Sequence, residues 1–195
     1  AKRAVNELAA EHLVERARGK GTHVIYKYSP KPVKAPMIGV LEEIESIAED
    51  STATVLECAL IKPPQTIGTD FGIKPGDTLL HLVRTRERAG GVFGYFDSWT
   101  ADVQLPKSND IFINESRHKY FRESGVHFSH VTQTIGAIAA SPTLAKQLDV
   151  EVGAPLLSLV RRSFRQNGEQ EELVDYIHAF FNTELFQYQM DLKLD

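Results

Sequence analysis

Arg84 and Arg86 stand one residue apart in Leu82-Val83-Arg84-Thr85-Arg86, a run whose composition reads as a strand. Residues two apart on a strand share a face, so both guanidinium groups can converge on one anion. Each presents a forked set of donors that matches a carboxylate or a phosphate. A solvent-facing polar strand, continued by Glu87 and Arg88, also accounts for these residues, and the local pattern leaves both readings open. A second basic feature lies near the start of the chain. Ala17-Arg18-Gly19-Lys20-Gly21-Thr22 is a glycine-rich tip with cations on it. Such a hairpin can bring backbone close to a phosphate chain.

Other chemistries find less support. His118, His127 and His130 fall close together and His178 lies further on, but their spacing does not specify a zinc site, and no metal or cofactor is expected. No glycine-rich phosphate loop or nucleophile elbow is visible. Cys58 is the single cysteine, set in an apolar run, and is read as buried and structural. No run approaches the ~18 apolar residues of a membrane span, so no membrane is expected and a cytoplasmic location is the natural reading.

The elements that must position these residues follow from periodicity. Val5 to Arg16 reads as a helix entering a short strand, and Val24-Ile25-Tyr26 as the returning strand. Residues 27–36 contain three prolines among lysines and read as an extended, solvated linker. Ile38 to Glu49 has helical spacing. Strands are expected over Thr52–Ile61, Thr78–Arg88, Val92–Val103, Phe128–Ile138, Leu156–Arg165, Glu172–Phe181 and Gln187–Leu192. Short helices are expected over Gln65–Phe71, Arg117–Ser124 and Pro142–Leu148, the last capped by Ser141 with proline in its first turn. Adjacent hairpins imply an α+β fold, a mainly antiparallel sheet with packed helices. Charge divides the same way. Residues 1–34 hold eight Lys and Arg against three Glu, on a chain whose net charge is −4. A basic front on an acidic body suits a DNA module joined to a domain that does not bind DNA.

The helix, the Leu13-Val14-Glu15-Arg16 strand and the Gly19-Lys20-Gly21-Thr22 tip occur in an order that resembles the end of the winged helix-turn-helix of GntR-family repressors. Three later motifs resemble the UTRA effector-binding domain of the HutC branch, whose fold is similar to chorismate lyase. They are Gly72-Ile73-Lys74-Pro75-Gly76-Asp77 before the Arg84 strand, Ile135-Gly136-Ala137-Ile138 before Leu148-Asp149-Val150, and Leu159-Val160-Arg161-Arg162 leading to Leu173-Val174-Asp175-Tyr176. The resemblance implies three parts: 1–26 as the back of a winged helix-turn-helix domain lacking its first helices, 27–36 as linker, and 37–195 as the UTRA domain. It implies a ligand-responsive repressor, not an enzyme, with a homodimer on operator DNA and a small anionic effector. Arg16, Arg18, Gly19, Lys20 and Gly21 would meet DNA. Arg84 and Arg86 would hold the effector's anion, with Asp175 and Phe181 at positions where the family often has an acid and a tyrosine. Tyr95 stands where the family often has an acid, and Asp97 follows two residues on. Tyr95, Asp97, Thr134 and Gly136 would supply other walls, and only one of Tyr95 and Phe96 can face the pocket. A chorismate-lyase-type enzyme is the alternative on the same fold.

Overall fold

The computed structural model describes residues 2–10, 13–17, 21–25, 33–34, 51–114 and 116–189. Helix α1 (Lys2–Ala10) leads into strands β1 (Val14–Ala17) and β2 (Gly21–Val24), which pair antiparallel with Val14 opposite Val24 and Ala17 opposite Gly21. The returning strand therefore starts three residues earlier than its composition suggests. The expected tip residues Arg18, Gly19 and Lys20 lie outside the described residues, as do the side chain of Arg16 and the expected helix over Ile38–Glu49. Within the expected linker, β3 (Val33–Lys34) pairs parallel with β10 (Tyr188–Gln189), so this stretch is tied to another strand and not wholly solvated. The last strand is correspondingly shorter than Gln187–Leu192 among the described residues.

Six strands form the main sheet: β4 (Thr52–Ile61), β5 (Leu79–Arg88), β6 (Gly91–Thr100), β7 (His130–Ala139), β8 (Pro155–Asn167) and β9 (Gln170–Asn182). Every neighbour is antiparallel, in the order β4-β5-β6-β9-β8-β7. Two three-stranded meanders are thus joined along their last strands, β6 and β9. Tight turns make this possible. Ala89 and Gly90 close β5 on β6, and Gly168 takes φ 63° where β8 turns into β9. Both turns are shorter than composition alone indicates; β8 and β9 run longer than expected, whereas β6 stops at Thr100, short of the expected Val103.

Among the described residues four short helices accompany the sheet: α2 (Gln65–Phe71), α3 (Ile111–Asn114), α4 (Arg117–Glu123) and α5 (Pro142–Leu148). The cap at α5 is as read from sequence, with Ser141 Oγ accepting from the Leu144 amide at 3.2 Å. Helix α3, only four residues long, has too little length to leave a periodic signal. Alternation along the strands sorts the core onto two faces. One face carries Leu80, Leu82 and Val174 against Phe112 and Phe121 from α3 and α4. Further along, Phe181 and Ala179 pack with Phe93 and Phe186. On the opposite face, Leu144, Ala145 and Leu148 of α5 cover Leu156, Tyr95 and Phe180.

Gly94 shows how closely these faces are packed. A Cβ built there would lie 2.7 Å from Phe96 Cε2 and 3.4 Å from Phe181 Cδ1. The Phe96 ring lies over the glycine and meets Phe181 edge-on at 5.5 Å. Gly94→Ala should displace that ring and cost about 1–3 kcal/mol, as overpacking does. Denaturant unfolding of the variant measures it, and an unchanged midpoint would contradict the packing described.

Candidate functional site

The register of the sheet decides which expected site residues can meet. Residues directly opposite on antiparallel strands share a face. Arg84 is opposite Phe96, which is opposite Ala179; Arg86 is opposite Gly94, which is opposite Phe181; Thr100 is opposite Asp175. Arg84, Arg86, Asp175 and Phe181 therefore lie on one face, beneath α3 and α4. Tyr95 is opposite Thr85 and Phe180, Asp97 opposite Val83 and His178, Thr134 opposite Val160, and Gly136 opposite Ser158. These four expected wall residues lie on the other face and cannot line a pocket with the arginines. The correction follows from alternation, which sends odd and even positions of β6 to opposite sides. Of the neighbours Tyr95 and Phe96, it is Phe96 that lies on the arginine side.

The arginine face is a buried charged cluster. Arg84 is 5% exposed, donates from Nη1 to the Phe112 carbonyl at 3.2 Å, and lies 5.9 Å from the Phe112 ring centroid. Its Nε has no partner. Burial, then the neighbouring charges of Arg86 and Arg117, push its pKa well below the ordinary value. Arg86 donates from Nη1 to Ser51 Oγ at 2.7 Å, and burial lowers it to about 10. Asp175 is fully buried and does not point into open space. Arg117 grips it with Nη1 at 2.5 Å and Nη2 at 2.7 Å, and Thr100 Oγ1 donates to it at 2.8 Å. Phe181 is likewise core, stacked on Phe186 with centroids 4.0 Å apart. The anticipated acid and ring of the site are thus a counter-ion and a packed wall.

Sequence reading did not single out Arg117, His118, Arg161 or Ser163 for this site. His118 is buried, and burial followed by the charges of Arg117, Arg161, Arg84 and Arg122 holds its pKa well below the usual value, which favours the neutral ring. Arg161 donates from Nη2 to Gln133 Oε1 at 2.6 Å, and Gln133 in turn donates to the Tyr188 hydroxyl at 2.9 Å. Ser163 is opposite Asp175 in the β8–β9 register and fully buried. A signal for the first two existed. Ser116 caps α4, so Arg117 and His118 occupy the first turn, where the helix dipole disfavours cations. Arg161-Arg162 was visible as a pair, but only the register shows that Arg161 joins the cluster while Arg162 lies on the other face beside Tyr176.

The opposite face holds a polar chain instead. His81 Nε2 is 3.0 Å from Asp97 Oδ1, and its Nδ1 is 3.1 Å from Glu57 Oε1, an ion-pair contact outside hydrogen-bond geometry. The ring stacks on Trp99 at 3.9 Å. Ser158 Oγ lies 2.9 Å from His178 Nε2. Thr134 and Gly136 sit on exposed β7, and a Cβ at Gly136 would meet nothing. Among the described residues no group of three ligating side chains could hold a metal ion. Cys58 is half-buried, packed at the edge of the core, and burial raises its thiol pKa. No helix among the described residues is long and apolar enough to cross a membrane.

Residues 48–187 match the UTRA domain. The chain belongs to the UTRA domain family. That family's domain binds effectors and regulates and is not an enzyme, which sets aside the chorismate-lyase-type activity that sequence left open. The chain is 24% identical over 193 residues to a protein described as "Probable transcriptional regulator PhnF" of Escherichia coli, covering 97% of this chain and 78% of that one. Its fold is similar to that of the possible transcriptional regulator YydK of Bacillus subtilis, with a TM-score of 0.68 at 20% identity over 100% of this chain and 81% of that one. It is also similar to PhnF of Mycobacterium smegmatis, with a TM-score of 0.68 at 18% identity over 100% and 84%.

Two measurements test the geometry. Asp175→Ala leaves Arg117 buried without its carboxylate and should cost about 3–5 kcal/mol in denaturant unfolding. An unchanged midpoint would mean that the pair does not exist. His81 tests the other face. Burial alone would lower its pKa, but its contacts with Asp97 and Glu57 raise it above 6.5. A raised pKa means that the protonated ring stabilises the fold below the unfolded pKa, and that this contribution fades as pH rises through the folded one. The stability difference between the native chain and His81→Gln should therefore narrow as pH rises above 6.5. A constant or widening difference would show that the carboxylates do not act on His81.

Proposed function

We propose that this chain is the effector-binding part of a ligand-responsive transcriptional repressor of the GntR type, HutC branch, and that the Arg84 cluster seats a small anionic effector. The observation that carries this is Arg84 itself. Its guanidinium is buried beside two others and bonded to a backbone carbonyl; among the described residues no carboxylate bonds it, and the nearby charge of Asp175 is less than the like charges and burial opposing it. A buried cation in the company of like charges is unfavourable until an anion joins it. An effector anion would supply that compensation, and its binding energy would then favour whichever arrangement of the protein holds it best.

The parts divide as 1–26, the back of a winged DNA-binding domain, 27–36, a linker, and 37–195, the UTRA domain. The match to the UTRA domain over 48–187 falls inside the third part, and the relatives' descriptions as transcriptional regulators support the assignment. Arg16, Arg18, Gly19, Lys20 and Gly21 would approach operator phosphates, and a homodimer would present two wings to paired half-sites. A cytoplasmic location goes with this role. Coupling between the sites would be reciprocal, the effector changing operator affinity by the same factor as operator changes effector affinity.

The test uses the full-length protein. Arg84→Ala should abolish the effector response of operator binding while the circular dichroism spectrum and operator affinity without effector stay unchanged. Arg84→Lys should impair it too, since an ammonium lacks the planar fork. Lys20→Ala should weaken operator binding across sequences and reduce the salt slope by about 1. An Arg84→Ala protein that still releases operator at the native effector concentration would refute the assigned seat.

A further inference from the structure

Four buried polar atoms on three residues of the arginine cluster have no hydrogen-bond partner among the described residues: Arg84 Nε, both ring nitrogens of His118, and Ser163 Oγ. Their residues are 5%, 4% and 0% exposed. Folded proteins rarely leave such groups unsatisfied, because each forfeits its hydrogen bonds to water and gains nothing in return. Three such residues in one place indicate a site whose hydrogen bonds are completed by something other than the chain.

The groups belong to one cluster. Ser163 sits opposite Asp175, which Arg117 grips from α4, and His118 follows Arg117 on the same helix turn. The charges of Arg84, Arg117 and Arg161 all act on His118. The ring is fixed edge-on between Phe121, at 6.1 Å, and Phe128, at 5.4 Å, so it cannot swing out to water without opening that packing. A neutral imidazole has one donor and one acceptor nitrogen, and a serine hydroxyl both donates and accepts. An oxyanion accepts only. It satisfies Arg84 but leaves the acceptor nitrogen of His118 unmatched.

We infer that His118 and Ser163 are ligand-contacting residues that set effector specificity, and that the effector is a small anion with a hydroxyl, or an equivalent donor–acceptor group, close to its charged head. This rests on the reading of Arg84 as the anion seat and narrows it. An anion whose remainder is purely apolar would leave the imidazole and the hydroxyl unpaired, and sites built to bond a hydroxyl discriminate strongly against ligands that lack it. Phe112, Phe121 and Phe128 then serve to exclude water and orient the ring.

Matched probes decide the matter. Calorimetric titration of the chain compares n-propyl phosphate with glycerol 3-phosphate, and propionate with glycerate. Within each pair the charged head is the same and only the hydroxyls differ. In the native chain the hydroxylated member of at least one pair should bind about tenfold more tightly. Ser163→Ala should erase much of that preference and leave the affinity of the apolar member unchanged. His118→Phe should do the same, and its thermal unfolding shows whether it still folds. Both variants should be as stable as the native chain or more so without ligand, because each removes an unsatisfied buried group. Equal affinity within both pairs in the native chain, or a preference that survives in Ser163→Ala and in a folded His118→Phe, would overturn this inference while leaving the anion seat standing. Failure of every probe to bind would overturn the anion seat itself, and this inference with it.

Discussion

The ion pair between Arg117 and Asp175 holds the arginine face together. Asp175 lies at the centre of the sheet, on β9, and Arg117 comes down from the first turn of α4, with both side chains nearly or wholly removed from water. Two charges buried this way are tolerated only when their geometry is good and the remaining lone pairs are bonded, and here the contact is bidentate with Thr100 bonding the same carboxylate. The pair fixes α4 over the strands. It thereby fixes His118, which follows on the helix, and Phe121, whose ring lies against the Arg117 guanidinium, while Phe112 of α3 covers Arg84.

Once that carboxylate is engaged, Arg84 is left with a backbone carbonyl as its partner, and this shapes the rest of the site. Burial, then the charges of Arg117, Arg161 and Arg84, depresses the proton affinity of His118, and burial with the charges of Arg86 and Arg117 acts on Arg84 in the same sense. The cluster is therefore costly as it stands and gains by accepting negative charge. Binding energy that relieves an unfavourable local state can be spent on shifting the protein between arrangements. The opposite face follows another logic. There His81 stands between two carboxylates, partly exposed and stacked on Trp99, so negative charge favours the protonated ring and the chain of contacts stitches β4, β5 and β6 together.

Much of the fold could be read directly. The strands over Thr52–Ile61 and Leu79–Arg88 and the helices over Gln65–Phe71 and Pro142–Leu148 follow from composition, prolines and a serine cap, all of which are local. The ends of β6, β8 and β9 shifted where turns proved tighter than expected, at Ala89-Gly90 and Gly168. The four-residue α3 was not legible, since less than two turns cannot show a period. Of the site, Arg84 and Arg86 were legible because their spacing places them on one face whatever the partner strands do.

What the sequence determined by itself was thus the local pattern: strand alternation, turn chemistry, the cap of α5 and the pairing of two arginines on one side. What only the tertiary structure decided was which sides meet. Asp97 and Asp175 look equally available in sequence, yet cross-strand register sends Asp97 to His81 and Asp175 beneath Arg117. Arg161 and Arg162 are adjacent and identical in type, yet one enters the cluster and the other faces Tyr176 and Asp70. The physical reason is that a strand's own alternation is a local property, whereas the face it turns to the core is set by hydrogen-bond register with neighbours far away in the chain.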